Sequence, residues 1–284
     1  MRRYCYYHAG CPDGFGAAWA VWRAWGPSGH FVARGHSDDL DAFAHEGDEV
    51  VFVDIAPTVE KAIELGEVAG KFVILDHHLT ARDRFSDDPR LLPSLADRGH
   101  LVRFDLAHSG AVLAWNHFHP EEPVPALLAY VEDQDLWNWK LPESDAVNAV
   151  IGSYPRDFES WGALARRSCE DLAREGAPLL RAQRVDVEQA LRFAHPVRVG
   201  DMRIEAVNAL HHRSHIGHEL SKRAAFGHPV GLAYRMCGSR VDVSIYSIGD
   251  VDVSAMARRY GGGGHRNASG FSLSLRTWTE DFLP

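Results

Sequence analysis

Cysteine is scarce in this chain of 284 residues: Cys5, Cys11, Cys169 and Cys237 are the full set, and no two form a C-x-x-C pair. That excludes a disulfide scaffold and a thiolate-rich zinc site. No apolar run approaches the roughly 18 residues that span a membrane. The opening "MRRYCYYHAG" has no apolar stretch of the kind a secretory signal needs. A cytoplasmic protein without a membrane partner is the expectation. Basic charge is also short, with 30 Lys and Arg against 39 Asp and Glu, net −9. Residues 1–199 carry 20 against 31, net −11, and residues 200–284 carry 10 against 8, net +2. A binder of long duplex DNA normally shows a strongly basic face, so that class is not expected, while a short anionic substrate remains open. Neither an internal repeat nor a low-complexity segment is evident.

What is present suits globular domains: 45% hydrophobic residues can fill proper cores, and the length suits two domains. Residues 2–8 (RRYCYYH), 30–34, 49–55, 71–77 and 101–106 are short runs rich in β-branched and aromatic residues, the pattern of strands. Between them Phe15, Ala18, Val21, Trp22 and Trp25 recur at helical spacing, and 57–70 (PTVEKAIELGEVAG) is bracketed by Pro and Gly as helices are. Strands alternating with helices predict an α/β fold with a parallel doubly wound sheet. From 109 to about 195 the pattern turns helical. Ser109 can cap GAVLAWNHF, and a long connector helix runs from about 170 to 194, stopped by Pro196. The boundary is therefore set at 195, with a smaller mixed α/β domain over 196–284. It holds strands MRIEAVNA, VGLAYRMC and RVDVSIYSI, a helix near 214–225 and a glycine cluster at 261–264.

In an open parallel sheet, ligands bind beyond the carboxyl ends of the strands. His8, then Asp13, follow the first strand. Asp54 ends the third, Asp76, His77 and His78 end the fourth, and Ser109-Gly110 follow the fifth. A single Asp in such a place is commonly a helix cap or a turn residue. Three strands ending this way gather carboxylates that repel one another unless a cation neutralises them. Mixed Asp and His ligation suits hard-to-borderline ions such as manganese. Asp133 and Asp135 in YVEDQDLWNW (130–139) add donors enough for two ions, the arrangement that clamps the attacking and leaving oxygens in phosphoryl hydrolysis.

HAGCPDGFGAA, VDIAP, LDHH, YVEDQDLW and the C-terminal GGGGHRNASGF resemble, in order, the motifs of the DHH phosphoesterase superfamily and its DHH-associated C-terminal domain, over residues 8 to 271. The resemblance implies a catalytic domain (1–195) holding a manganese pair, for which magnesium or cobalt could substitute, and a substrate-binding domain (196–284). Taken position by position, Asp54 would bridge the two ions. His77 and Asp133 would complete one position, and His8 and Asp13 the other. Asp76 would orient ligands, His78 would face the substrate phosphate, and these two form the expected catalytic pair. Gly262, Gly263, Gly264, His265, Arg266 and Asn267, with Ser109, would bind substrate: successive glycines let backbone N–H groups approach phosphate oxygens.

The first motif departs from the family pattern, in which a His precedes two Asp separated by one residue. Either Cys11 stands in place of one Asp or Phe15 in place of the other. Cys11 is then a metal thiolate or, the reading preferred from sequence, a packed thiol beside a position completed by water or substrate. Tyr246 stands where the family often has Arg, and could stack on a base, bind phosphate or pack. Trp19, Trp22 and Trp25 read as core, Trp137 and Trp139 as packing beside the site, and His211, His212 and His215 as surface. Arg34 and His36 are left open as substrate contacts. The expected function is manganese-dependent hydrolysis of short single-stranded oligonucleotides. The alternatives are an exopolyphosphatase, a phosphatase of bisphosphate or cyclic dinucleotides, and, in another class, a non-catalytic nucleotide-binding regulator. A homodimer is the candidate assembly.

Overall fold

Side-chain alternation along five strands builds the first sheet. β1 (Arg3–His8), β2 (Gly29–Arg34), β3 (Glu49–Val53), β4 (Lys71–Asp76) and β5 (Leu101–Phe104) lie in the order β2-β1-β3-β4-β5, all parallel. Cys5, Val51, Val53, Val73 and Leu75 enter one core, while Tyr4, Tyr6, Val50, Phe52, Phe72 and Ile74 enter another. Both faces are buried, as a parallel sheet requires. The computed structural model describes residues 1–35 and 42–284, so His36 lies outside the described residues.

The connections supply the covering layers: α1 (Pro12–Trp25), α2 (Val59–Val68), α3 (Leu79–Ser86), α4 (Leu91–Asp97) and α5 (Gly110–Phe118), then α6 (Ala126–Asp135), α7 (Ser144–Ser153), α8 (Phe158–Leu164) and the long α9 (Cys169–Leu191). Trp19, Trp115 and Trp161, from α1, α5 and α8, anchor the first core, and Leu65, Phe85 and Leu95, from α2, α3 and α4, fill the second. This is the expected doubly wound arrangement. Strand order reverses between β1 and β3, so the chains leaving their carboxyl ends diverge and open a crevice there.

The chain divides into Met1–Leu180 and Arg181–Pro284. The division falls inside α9 rather than near 195, because Val187 and Leu191 pack with Val207, Ile216, Leu220 and Ala233 of the second unit. That unit has β6 (His195–Val199), β7 (Met202–Asn208), α10 (Arg213–Arg223), β8 (Val230–Cys237), β9 (Arg240–Ser247), α11 (Val253–Arg258), β10 (Gly263–His265), β11 (Ala268–Ser274) and the short α12 (Leu275–Thr277). Its mixed sheet runs β10-β11-β9-β8-β7-β6, with β7 and β8 the parallel pair. Val243 and Ile245 of β9 meet Val253 and Ala257 of α11 and the terminal Trp278 and Phe282. Among the described residues no helix is long and apolar enough to cross a membrane.

Candidate metal centre

The turn after β3 sets the site. Asp54 adopts left-handed backbone, φ 57°, which Asp tolerates better than most residues with a side chain. Its N–H donates to Leu75 O at 3.0 Å. So turned, its carboxylate meets two groups of donors. Oδ1 lies 3.1 Å from His77 Nε2, and Oδ2 lies 3.3 Å from His8 Nδ1 and 3.4 Å from the Cys11 thiol. Asp13 is fixed by the start of α5, where Gly110 N and Ala111 N donate to its two oxygens at 2.7 and 2.9 Å. His77 Nε2 also lies 3.4 Å from Asp13 Oδ2 and 3.5 Å from Asp135 Oδ2. Gly110 permits this closeness, since a methyl there would overlap Asp54 Cβ and stand 2.9 Å from Asp54 Cα.

Asp76, the last residue of β4, holds the two residues after it. Its Oδ1 accepts from His77 N at 2.8 Å, His78 N at 3.3 Å and His78 Nδ1 at 2.7 Å. An ionised carboxylate only accepts, so His78 carries its proton on Nδ1 when neutral, and Nε2 faces away from Asp76.

Charge in the cluster is partitioned sharply. Burial pushes the Asp13 carboxyl well above the ordinary range, and the charges of Asp54 and Asp135 push it the same way. Burial also raises Asp135; His77 offsets this in part and Asp54 adds to it. Burial would raise Asp54 too, but hydrogen bonds from His77 and His8 outweigh it and hold this carboxyl well below the ordinary range. For His77, burial favours the neutral ring, yet the Asp54 hydrogen bond and the charges of Asp135 and Asp13 hold it well above a free imidazole. Packed carboxylates of this kind call for positive charge, which a divalent cation would supply while displacing protons from its ligands.

The donor set fits such a cation. The Oδ2 atoms of Asp76 and Asp135 are shielded from solvent and accept no hydrogen bond, a state that calls for an explanation in a folded protein. Among the described residues, His8, Cys11 and Asp54 bring donor atoms within 4.8 Å of one another, as do Asp13, His77 and Asp135, and Asp54, Asp76 and His78. Asp54 touches both the His8 and the His77 groups.

Two expectations need correction. Asp133 does not reach the cluster: its carboxylate accepts from Lys140 N at 2.9 Å and Leu141 N at 3.2 Å and holds the turn after α6. Two residues on, the helix has rotated by about 200°, so only one of the two Asp can face His77, and that one is Asp135. Ser109 is fully buried rather than offered to substrate. Its hydroxyl caps α5 by accepting from Val112 N, and its N–H donates to Glu132 at 2.8 Å. The glycine motif forms a close hairpin. β10 pairs with β11, and a methyl on Gly262 would run into Gly270 O and stand 2.8 Å from Phe271 Cα. Gly264 takes φ 138°.

Next to that hairpin, Arg266 donates to Asp250 O at 2.8 Å, and Asn267 donates to Ser247 Oγ at 2.9 Å and Gly249 O at 3.1 Å. Both tie down the loop after β9. Gly263 and the half-buried His265 are the first and last residues of β10. Tyr246 lies with its hydroxyl 3.3 Å from Ser214 Oγ, and Arg34 turns back on Ala33 O. Gly110 is the site residue the sequence leaves without a role, and Asp135, read from sequence only as one of two acidic donors, is the one that faces His77. Asp135 carries a signal in its spacing from Asp133, and Gly110 in its place at the start of a capped helix.

The parallel sheet, with a carboxylate–imidazole cluster at its carboxyl edge, and the mixed second unit make a two-unit α/β fold. No family model matches the chain. It is 27% identical to the uncharacterized protein R106 of Acanthamoeba polyphaga mimivirus over 94% of this chain and 66% of that protein. It is 26% identical to the oligoribonuclease NrnB of Bacillus subtilis (strain 168) over 80% of this chain and 60% of that protein. The chain thus spans less than two thirds of the length of either relative. Among solved structures, an exopolyphosphatase-related protein from Bacteroides fragilis matches with a TM-score of 0.50 at 10% identity, over 95% of this chain and 86% of that one. A pGpG-specific phosphodiesterase, PggH, from Vibrio cholerae gives 0.45 at 12% identity, over 98% and 95%.

Proposed function

We propose that this protein is a divalent-metal-dependent phosphoesterase that hydrolyses phosphodiester bonds of short single-stranded oligonucleotides, with manganese as its ion. The observation that carries this reading is Asp54. One buried carboxylate stands between two donor groups, at the sheet edge where α/β proteins bind ligands. When bound, a pair of divalent ions there would withdraw charge from phosphate oxygens and acidify an attacking water. The chain's own residues supply position. Asp13 is locked by two backbone donors of α5, and Asp135 reaches in from the end of α6. Asp76 fixes the His78 ring at 2.7 Å. Burial alone would lower the His78 pKa, but the Asp76 carboxylate outweighs it and raises it, and a ring protonated at both nitrogens would donate from Nε2 to a phosphate oxygen.

Two facts favour the short oligonucleotide. One relative is named an oligoribonuclease, and residues 1–199 carry net −11, which suits a substrate with few phosphates. The test is a panel with manganese, read by product analysis: oligonucleotides from two to about 25 residues, inorganic polyphosphate, a bisphosphate nucleotide and a cyclic dinucleotide. Mononucleotide release that is fastest from the shortest strands, with a shallow salt dependence, is expected. A rate that climbs with length along a steep salt slope overturns the short-substrate reading. Phosphate release from polyphosphate alone overturns the phosphodiester reading, and tight nucleotide retention without turnover makes the protein a regulator.

A further inference from the structure

Cys11 is not packed as a structural thiol is. The molecule contains its own comparison in Cys5, which is fully buried among Val51, Val53, Val73 and other apolar residues of the first core. The Cys11 sulfur instead faces a ring nitrogen and a carboxylate. It lies 3.2 Å from His8 Nδ1 and 3.4 Å from Asp54 Oδ2, and those two atoms are 3.3 Å apart. Three donors thus form a triangle with nearly equal edges. A tetrahedral ion with bonds of about 2.0–2.3 Å holds its ligand atoms roughly 3.3–3.7 Å apart, so the triangle already has the dimensions of three ligands.

A divalent ion bound by these three atoms would displace the thiol proton, since a coordinating thiol is deprotonated outright. The backbone is already set for the ionised sulfur: Cys11 is the cap of α1, and Gly14 N donates to Sγ at 3.2 Å. A helix N-terminus stabilises a thiolate, and Cys is not among the residues chosen for capping alone. Gly14 keeps the triangle tight, since a methyl there would run into His8 O and stand 2.9 Å from His8 Cβ.

We infer that His8, Cys11 and Asp54 form one metal position in which the Cys11 thiolate stands where a carboxylate would otherwise serve, and that this position prefers zinc or cobalt to manganese. The thiol proton passes to solvent as the ion binds. Sulfur ligation draws a position toward softer ions, whereas the Asp13, His77 and Asp135 position has only oxygen and nitrogen donors. The two positions of one cluster therefore differ in the ion they select. This inference rests on the reading of the cluster as a divalent metal centre.

Cobalt(II) titration of the metal-free full chain tests it. A sulfur-to-cobalt charge-transfer band in the near ultraviolet should grow in and saturate with one equivalent. Cys11→Ser, which keeps a good helix cap, should abolish the band while leaving the far-ultraviolet circular dichroism unchanged. Cys11→Asp should also lack the band but still bind two ions, with its zinc-over-manganese preference reduced on the order of tenfold or more. Two cobalt ions bound without the band, or a band that survives in Cys11→Ser, overturns the inference, as does failure to bind cobalt at all. Hydrolysis with manganese but no band would leave the phosphoesterase reading standing and remove this one. A band without hydrolysis would do the reverse.

Discussion

A single methyl group at Gly110 should disable the site. On Gly110→Ala the new Cβ would stand 2.9 Å from both Cα and Oδ1 of Asp54 and closer still to its Cβ. Carbon atoms in contact prefer about 3.5–4.0 Å, so α5 and the Asp54 turn must separate by roughly 0.6 Å at the least and nearer 1 Å at Cβ. Neither side yields freely. Asp54 is held by its N–H to Leu75 O in a left-handed conformation, and the Gly110 N–H holds Asp13. Overpacking of this kind costs about 1–3 kcal/mol of stability. The larger consequence is geometric, because a misplacement of about 1 Å among reacting groups costs on the order of a hundredfold in rate. We expect kcat/KM on a dinucleotide to fall about a hundredfold with weaker metal binding, while the circular dichroism stays native. Gly162→Ala is the control. It lies in α8 with Arg166 Nη1, 3.7 Å away, its one neighbour within 4 Å, so it should be neutral or stabilising by up to about 1 kcal/mol. Wild-type kinetics and metal affinity in Gly110→Ala would refute the reasoning.

Other substitutions separate roles that the sequence blends together. Asp135→Asn should weaken metal binding and leave the metal-free protein as stable as before or more so, since it removes a carboxyl whose charge is disfavoured; calorimetric titration and thermal melting read the two effects. Asp133→Ala should do the opposite, leaving metal stoichiometry intact while two N–H groups of the turn lose their acceptor at a cost of about 2–3 kcal/mol in denaturant unfolding. In the second unit, burial would raise the Asp242 carboxyl, but Ser272, Arg235 and Arg240 bind it and hold it below the ordinary range. A depressed folded pKa contributes stability above the unfolded value of about 3.9 that is lost as pH falls through the folded value. Asp242→Asn should therefore destabilise the unit by about 1 kcal/mol at pH 7, since both arginines are partly solvated, and in melts the difference should shrink as pH falls below the unfolded value toward the folded one.

Much of the fold and of the site is legible in the amino-acid sequence, for identifiable reasons. Strands such as VVFV and FVIL are buried on both faces, so the apolar run itself marks them, and the polar residues that end them mark the sheet edge. His8, Asp13, Asp54, Asp76, His77 and His78 come together because topology alone sends the ends of β1, β3 and β4 to one crevice. The choice between Asp133 and Asp135 is not legible. It depends on helical phase and on where the backbone N–H groups of Lys140 and Leu141 point. The glycine cluster does not by itself tell its geometry, because a close hairpin and a phosphate cradle ask for the same residue. Pro196 misleads: it looks like a helix stop, whereas α9 ends at Leu191 and Pro196 sits in β6, an edge strand, where a missing N–H is tolerated. Cys11 reads as a packed thiol because one-dimensional spacing carries no information about the triangle it makes with His8 and Asp54.

The central claim is that a carboxylate–imidazole cluster organised by Asp54 binds divalent ions and through them hydrolyses phosphodiesters. The most direct measurement is dinucleotide hydrolysis by chelator-treated protein as manganese is added back, run beside Asp54→Asn under the same conditions. The account predicts no turnover in chelator, recovery as manganese fills the site, and no recovery in Asp54→Asn despite native circular dichroism. Turnover in excess chelator, or a fully active Asp54→Asn protein, would contradict it.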